Sequence, residues 1–129
     1  MSQENVELVR RGVQSAEAFW ALLDEDVVWD FGDYPMLDFD RVYVGRDAVV
    51  EASRHYWGTW ADYRLDADEL IDAGSSVVVV VHEHGRGKTS GAPFDQHWAQ
   101  IWTFRRGRII RWEMYSDKAS ALEAAGLSN

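Results

Sequence analysis

The sequence predicts an α+β fold in which helices cover one face of a curved, mainly antiparallel sheet. Apolar residues recur at helical spacing in much of the first 60 positions, and segments rich in β-branched and aromatic residues follow almost to the end. Short glycine turns, at Ala73-Gly74 and Arg106-Gly107, join these later segments as antiparallel neighbours. Helices followed by such a meander are typical of the α+β class. The 129 residues contain no repeat or linker, so we predict one domain over residues 1–129.

The first quarter of the chain is predicted to be helical. Apolar residues lie at helical spacing over residues 3–14. Ser15 is a good N-cap for a second helix, whose apolar residues include Phe19 and Leu23. The β-branched and aromatic residues of Val27–Phe31 then predict the first strand.

The next quarter contains a loop, a short strand and a third helix. The segment 32–40 contains Pro35 and interrupts the strand pattern, and a brief strand is predicted at Arg41–Val44. After Gly45 an apolar stripe predicts a helix that ends near Trp60.

The second half predicts four antiparallel strands and a final helix. The strands are expected at Tyr63–Ile71, Ser76–His84, Phe94–Arg105 and Arg108–Ser116. The helix is expected to begin at Asp117, a good N-cap, and to end at Gly126, a glycine C-cap.

Charge and composition exclude several kinds of function. The net charge of −9 without a basic stripe disfavours nucleic acid and anionic membranes as partners. The chain has no Cys, which excludes disulfides, thiolate metal sites and cysteine nucleophiles. The N-terminus lacks the features of a secretory signal, and the longest aliphatic run, Val77–Val81, is too short to span a bilayer. We therefore expect a cytoplasmic protein.

The abundance of tryptophan predicts a pocket. Seven Trp give more ring area than a small core usually needs, and such rings commonly line ligand cavities. Because side chains alternate across a strand, the strand residues sort into two faces. We expect the helix-covered face to bind a small hydrophobic or cyclic molecule. The predicted lining is Trp29, His82, His84, Gln96, Trp98, Gln100, Trp102, Trp112 and Met114.

Short motifs along nearly the whole chain resemble the SnoaL-like proteins of the nuclear transport factor 2-like superfamily. These motifs are Asn5–Arg11, Asp26–Asp30, Tyr43–Val49, Gly107–Ile110, Tyr115–Asp117 and Ala121–Leu127. The resemblance implies a cone-shaped α+β barrel with a concave face covered by helices. The superfamily includes ketosteroid isomerases, polyketide cyclases and limonene-epoxide hydrolases, and fold alone does not choose among these activities.

The resemblance also bears on the assembly of the chain and on its cofactors. Members commonly form homodimers, and Ala99, Ile101 and Tyr115 on the predicted outer face suggest a contact between two copies. The resemblance implies no metal and no other cofactor.

The isomerases' catalytic residues are matched only in part. Asp30 falls at the position of their general base. Their oxyanion-hole acid corresponds to Gln100, and residues 1–25 contain no Tyr to supply the second donor. Because an amide cannot transfer a proton at neutral pH, Gln96 and Gln100 are predicted to bind or orient a substrate.

The cyclases and epoxide hydrolases are also matched incompletely. Their cavity carboxylate falls on Met114, a thioether that cannot accept a proton at neutral pH, while Trp112 matches a cavity tryptophan of the hydrolases. The hydrolases' Arg and Asp correspond to His82 and His84. The familiar catalytic sets of this fold are therefore incomplete in this chain.

Three polar residues are the candidates for catalysis. Asp30 is either a general base or a cap for the loop that begins at Gly32. His82 and His84 share a strand face and are either proton donors or histidines hydrogen-bonded at the pocket rim. A metal site of His82, His84 and Asp30 is an alternative, since two His and one carboxylate can hold Fe or Zn.

Two functions follow from these residues. The first is an acid–base enzyme without a cofactor, of the isomerase, cyclase or hydrolase type, acting on a small apolar substrate. The alternative is a non-catalytic module in which Trp98, Trp102 and Trp112 sequester a hydrophobic ligand.

Overall fold

A computed structural model describes residues 2–32 and 40–127, which form four helices and six strands. In chain order they are α1 Ser2–Gly12, α2 Ala16–Leu22, β1 Leu23–Asp30, β2 Val42–Val44, α3 Arg46–Gly58, β3 Trp60–Ala73, β4 Ser76–Gly87, β5 Pro93–Arg105, β6 Arg108–Tyr115 and α4 Lys118–Ala124. Most of the loop predicted at 32–40 lies outside the described residues.

The six strands form one curved, unclosed sheet in the order β2-β1-β6-β5-β4-β3. Strands β1 and β6 are parallel, and every other neighbouring pair is antiparallel. The hairpins of the second half thus form a continuous meander from β3 to β6. The last strand of this meander, β6, pairs with β1 from the first half of the chain. The predicted α+β class with a mainly antiparallel sheet is confirmed.

Two strands begin earlier in the sequence than predicted. Leu23, predicted in the second helix, starts β1, where it pairs with Ile109 and is fully buried. Trp60, predicted in the third helix, starts β3 and pairs with Gly87. Both residues have an apolar side chain that fits either pattern, and pairing within the sheet decided between them.

The caps of the second and fourth helices agree with the prediction. The Ser15 hydroxyl accepts a hydrogen bond of 3.0 Å from the backbone N–H of Ala18, and Asp117 caps α4 in the same way. At the end of α4, Gly126 has φ +78°, and the backbone N–H of Leu127 donates to the carbonyl of Leu122. These are the features of a glycine C-cap of the Schellman type.

Helices cover both faces of the sheet. Helices α1, α2 and α3 pack on the concave face, where most buried side chains form one cluster. Helix α4 packs on the convex face, where Ala121 contacts a patch that contains Val78, Ala99 and Ile101. The predicted dimer surface is therefore wrong in part, because Ala99 and Ile101 are buried beneath α4 of the same chain. That two copies associate stays a prediction.

The lengths of the helices also bear on the expected relation to membranes. Among the helices in the described part of the chain, none is long and apolar enough to cross a bilayer.

Candidate functional site

A pocket of about 410 Å³ lies between the concave face of the sheet and the first three helices. Eight aromatic side chains contribute to its wall. The lining residues are Gly12, Val13, Gln14, Ser15, Ala16, Phe19, Trp29, Tyr56, Trp57, Tyr63, Arg64, Leu65, Asp66, Glu83, Trp98, Gln100, Trp102, Trp112 and Met114. Six of the nine residues that the sequence suggested for a pocket are thus among those that line this one.

The register between β4 and β5 decides which polar residues enter the pocket. Val81 pairs with Trp98 and Glu83 pairs with Gln96, so odd-numbered residues of β4 share a face with even-numbered residues of β5. The predicted placement of His82 and His84 on the tryptophan face is wrong, because both point to the opposite face.

Gln96 lies on the tryptophan face, as expected from alternation along β5. It nevertheless sits near the end of the hairpin, is exposed, and is not part of the pocket wall. The predicted role of Gln96 as a pocket residue is therefore wrong.

Glu83 is the buried carboxyl group of the pocket, with 1% of the residue exposed. Its Oε1 accepts hydrogen bonds from the Trp98 indole at 2.7 Å and from the Tyr56 hydroxyl at 3.1 Å. Its Oε2 accepts from the Tyr63 hydroxyl and, at 3.3 Å, from Tyr56. Helix α3 and strands β3 and β5 therefore each supply one donor to a carboxyl on β4.

The electrostatics of Glu83 are set by burial. Desolvation raises the pKa of Glu83 above its ordinary value, while the hydrogen bonds from Tyr63, Trp98 and Tyr56 oppose the rise. Among the described residues no Lys, Arg or His nitrogen lies within ion-pair distance of the carboxylate. Burial and the neighbouring carboxylate also raise the pKa of Tyr63, so this phenol remains a proton donor.

Gln100 is the second buried polar group of the wall. Its Oε1 accepts from the indole N–H of Trp102 at 2.7 Å and of Trp112 at 3.0 Å. Because two donors face this atom, the orientation of the amide is fixed and the NH₂ group is the end left for another partner. Gln100 is the predicted orienting residue, and the structure places it in the pocket wall.

The remaining wall consists of packed rings. Trp29 and Trp112 stack with centroids 4.1 Å apart, and the ring of Phe19 meets Trp102 edge-on at 5.0 Å. Trp102 also lies so close to α1 that a Cβ on Gly12 would come within 2.9 Å of it. The buried indole N–H of Trp29 has no hydrogen-bond partner among the described residues.

Asp30, predicted as a general base, lies outside the pocket. Its Oδ2 accepts from Arg111 at 2.8 Å, and its Oδ1 accepts from the backbone N–H of Gly32 at 2.7 Å. Parallel pairing sets Trp29 beside Trp112, so the next residue, Asp30, points to the convex side together with Arg111 and Glu113. The prediction that Asp30 faces the pocket is wrong, and the alternative role of capping the loop agrees with these contacts.

His82 and His84 lie in a polar cluster on the convex face. Strands β6 and β5 lie between this cluster and Asp30 in the sheet, so the alternative metal site of His82, His84 and Asp30 does not form. His82 instead stacks on His97, with centroids 4.1 Å apart, and its Nε2 lies 2.8 Å from Asp95.

Sequence reasoning missed Glu83, Tyr56 and Tyr63 as pocket residues. A partial signal for Glu83 was present, because its face of β4 carries three valines and the face of His82 and His84 carries two. A carboxyl at the end of that face needs donors nearby, which the two tyrosines provide.

A curved sheet whose concave face and helices enclose a ring-lined pocket defines the class as a small α+β protein of the nuclear transport factor 2-like type. The family model of the SnoaL-like domain matches residues 7–112, and the chain belongs to this family. No curated protein matches the sequence.

Solved structures share the fold over nearly the whole chain. A nuclear transport factor 2-like protein of unknown function from Burkholderia pseudomallei is 25% identical, with a TM-score of 0.75, covering 93% of this chain and 95% of its own. TerC, crystallised with polyporic acid, is 20% identical with a TM-score of 0.74, covering 95% and 98%. A Jannaschia protein provisionally named a SnoaL-like polyketide cyclase is 15% identical with a TM-score of 0.75, covering 99% and 94%. The last two likenesses concern the fold alone.

Proposed function

We propose that this protein is an acid–base enzyme, working without a cofactor, that moves a proton on a small, largely apolar cyclic carbonyl compound. The observation that carries the proposal is Glu83, a carboxyl group 1% exposed in the wall of an aromatic pocket, whose hydrogen-bond donors among the described residues are all phenols and indoles. Such a residue functions as a base when its pKa is brought towards the working pH.

The direction of the pKa shift supports this role. Burial raises the pKa of Glu83 and so makes its carboxylate a stronger base than an exposed glutamate. The carboxylate would remove a proton from the carbon next to the carbonyl, and the resulting carboxylic acid would return it to another atom of the substrate. Glu83 thus carries the proton between the two steps, and exchange of that proton with D₂O in this interval would place deuterium on the substrate.

Neighbouring groups would stabilise the enolate oxygen. The hydroxyls of Tyr56 and Tyr63 donate to Glu83 while it is ionised, and protonation of Glu83 weakens its hold on these donors. A hydroxyl released in this way can donate to the substrate instead. The NH₂ group of Gln100 is a further donor, and it orients the substrate without transferring a proton.

The pocket suits a flat, apolar substrate. Its rings include the stacked pair Trp29 and Trp112, and Met114 adds a polarisable side chain to the wall. The indole N–H of Trp29, which has no partner within residues 2–32 and 40–127, favours a ligand that carries an acceptor atom, since a buried donor without a partner costs roughly 1 to 3 kcal/mol.

The experiment is proton exchange on β-tetralone, a bicyclic ketone with acidic α-protons. The protein is incubated with the ketone in D₂O, and loss of the α-proton signal is followed by NMR. We expect the unaltered chain to accelerate exchange by ~10² to 10⁴ over Glu83→Gln, the usual contribution of a positioned acid or base. Both proteins should bind the ketone.

Glu113→Gln is the matched control. Glu113 also accepts a hydrogen bond from a tyrosine, Tyr115 at 3.1 Å, but it lies on the convex face outside the pocket. The Glu113→Gln variant should exchange the α-protons of the ketone at the same rate as the unaltered chain. Equal rates in the unaltered chain and in Glu83→Gln would show that Glu83 is not the base.

A second candidate is a non-catalytic module that sequesters a hydrophobic ligand. It is favoured by the indole N–H groups of Trp98, Trp102 and Trp112, which all donate to Glu83 or Gln100, so that these rings contribute mainly apolar surface to the wall. Calorimetric titration with β-tetralone and with polyporic acid separates the two functions. Binding of either compound without exchange in any variant would favour the module over the enzyme.

A further inference from the structure

Three of the four histidines of the chain lie together on the convex face, away from the pocket wall. His82 pairs with His97 across β4 and β5, and it pairs with Asp66 across β3 and β4. Cross-strand partners point to the same side of a sheet, with Cβ atoms about 5 Å apart. The sheet therefore arranges imidazoles and carboxylates next to each other on a rigid surface.

The donor atoms of this cluster are close enough to share an ion. One ligand atom each from Asp66, His82 and His84 lies within 4.8 Å of the others, and the same is true of Asp68, His82 and His97. We propose that this cluster is a binding site for one divalent transition-metal ion, with Zn²⁺ the ion that its nitrogen and oxygen donors suit. Because both sets contain His82, and a neutral imidazole has one unprotonated nitrogen to offer a metal, the two sets are alternative positions for a single ion.

The chemistry of the donors favours zinc over calcium or magnesium. Imidazole nitrogen suits Zn²⁺ and its first-row neighbours, whereas Ca²⁺ and Mg²⁺ require mainly oxygen. Two imidazoles and one carboxylate are a known ligand set for Zn²⁺, which then keeps an open coordination position.

The site needs only small movements to close around an ion. Ligands of a tetrahedral Zn²⁺ lie about 2.0 to 2.2 Å from the metal and hence about 3.4 Å from one another, whereas the present donors lie within 4.8 Å of one another. The side chains of His82, His84 and Asp66 are 26%, 31% and 45% exposed, so none is locked in a packed core. Rotation about their side-chain bonds would bring the donors together without moving the sheet.

Neighbouring groups do not prevent binding. Arg64 lies on the same face, but its guanidinium is 3.9 Å from Asp66 and 70% exposed, and an ion pair of this kind is weak. The Oδ1 atom of Asp95 lies within hydrogen-bond distance of the Nε2 atom of His82, at 2.8 Å. A carboxylate beside a ligating imidazole orients the ring and strengthens its bond to the metal.

The test uses the full chain prepared without a histidine tag and treated with a chelator. Calorimetric titration with Zn²⁺ should show one ion per chain. His82→Ala should weaken the affinity by at least ~100-fold, the upper range for loss of a supporting residue. The remaining histidine, His55 on α3, is the matched control, and His55→Ala should bind Zn²⁺ as the unaltered chain does.

Two further variants identify the ligands. His84→Ala should abolish stoichiometric binding if Asp66, His82 and His84 hold the ion, and His97→Ala should do so if the other set holds it. Binding unaffected by both substitutions would overturn the proposal, as would a failure of the unaltered chain to bind one Zn²⁺ ion.

NMR of the unaltered chain tests the same site without a substitution that could disturb folding. The imidazole proton signals of His82, together with those of His84 or His97, should shift on addition of one equivalent of Zn²⁺, while the His55 signals should stay in place. Equal shifts of all four histidines would indicate non-specific binding and would contradict the proposal.

Discussion

Replacing Tyr63 by Phe removes one donor from Glu83 and leaves the ring in place. The Tyr63 hydroxyl donates to Oε2 of a carboxyl that is 1% exposed. A hydrogen bond to a charged group contributes ~1.5 to 3 kcal/mol to the free energy of unfolding, and one to a neutral group contributes ~0.5 to 1.5 kcal/mol. The cost of Tyr63→Phe should therefore depend on the charge of Glu83.

The direction of the pH dependence follows from linkage. Burial raises the pKa of Glu83 in the folded state above the ordinary value of 4.5, so between these two values the folded chain binds more protons than the unfolded chain. The contribution of Glu83 to stability is then full below pH 4.5 and is lost as the pH rises through the folded pKa. Loss of the Tyr63 donor raises that pKa further, because the donor favours the ionised carboxylate.

The assay is urea unfolding followed by tryptophan fluorescence between ~pH 5 and ~pH 8. Tyr63→Phe should cost ~0.5 to 1.5 kcal/mol where Glu83 is protonated and ~1.5 to 3 kcal/mol where it is ionised. This difference of ~1 kcal/mol is the free energy that accompanies the further rise in the pKa of Glu83. In a Glu83→Gln background the effect of Tyr63→Phe should no longer change with pH.

Tyr115→Phe is the matched control. Its hydroxyl donates to Glu113 at 3.1 Å on the half-exposed convex face, and burial raises the pKa of Tyr115 to about 12, so it stays protonated throughout the assay. We expect this substitution to cost no more than ~1 kcal/mol. Glu83 would not be the buried, ionisable acceptor of Tyr63 if Tyr63→Phe cost no more than Tyr115→Phe at every pH, or if its cost were larger at the acidic end.

Two further substitutions test the pocket wall through the free energy of unfolding. Gln100→Leu leaves the indole N–H groups of Trp102 and Trp112 without their acceptor and should cost ~1 to 3 kcal/mol for each. Gln100→Glu keeps an acceptor and should lower the free energy of unfolding by less. Equal losses in the two variants would contradict a role of Gln100 as the acceptor. Gly12→Ala should cost ~1 to 3 kcal/mol and change the tryptophan fluorescence, because the new methyl group would press on Trp102 at 2.9 Å. Gly58→Ala, with nothing within 4 Å of its Cβ position, should be neutral or stabilising, and a similar loss in both alanine variants would point to backbone effects instead.

The aromatic part of the pocket could be predicted because it depends on local pattern. Trp98, Gln100 and Trp102 alternate on one strand, and alternation places them on one face whatever the rest of the fold does. Trp112 and Met114 alternate on the next strand in the same way. Large apolar side chains on one face then require a helical cover, which the first half of the sequence supplies.

The catalytic candidates could not be predicted in this way because they depend on register between strands. In β4 both faces contain valines followed by polar residues, so alternation alone does not say whether Glu83 or His82 and His84 face the core. A register shift of one residue exchanges the two sets. The side chains of Tyr56 and Tyr63 meet Glu83 only after α3 and β3 pack against β4, and no sequence period links these three positions.

The sequence by itself determined the α+β class, the order of helices and strands, and the row of rings on β5 and β6, since each of these follows from periodicity and turn residues within a short stretch of chain. Tertiary structure alone decided that Glu83 is buried among phenols and indoles, that Asp30 pairs with Arg111, and that the histidines gather beside carboxylates on the convex face. The physical reason is that a carboxyl or an imidazole has no preferred strand face of its own; its environment is fixed by which strands pair, and in which register.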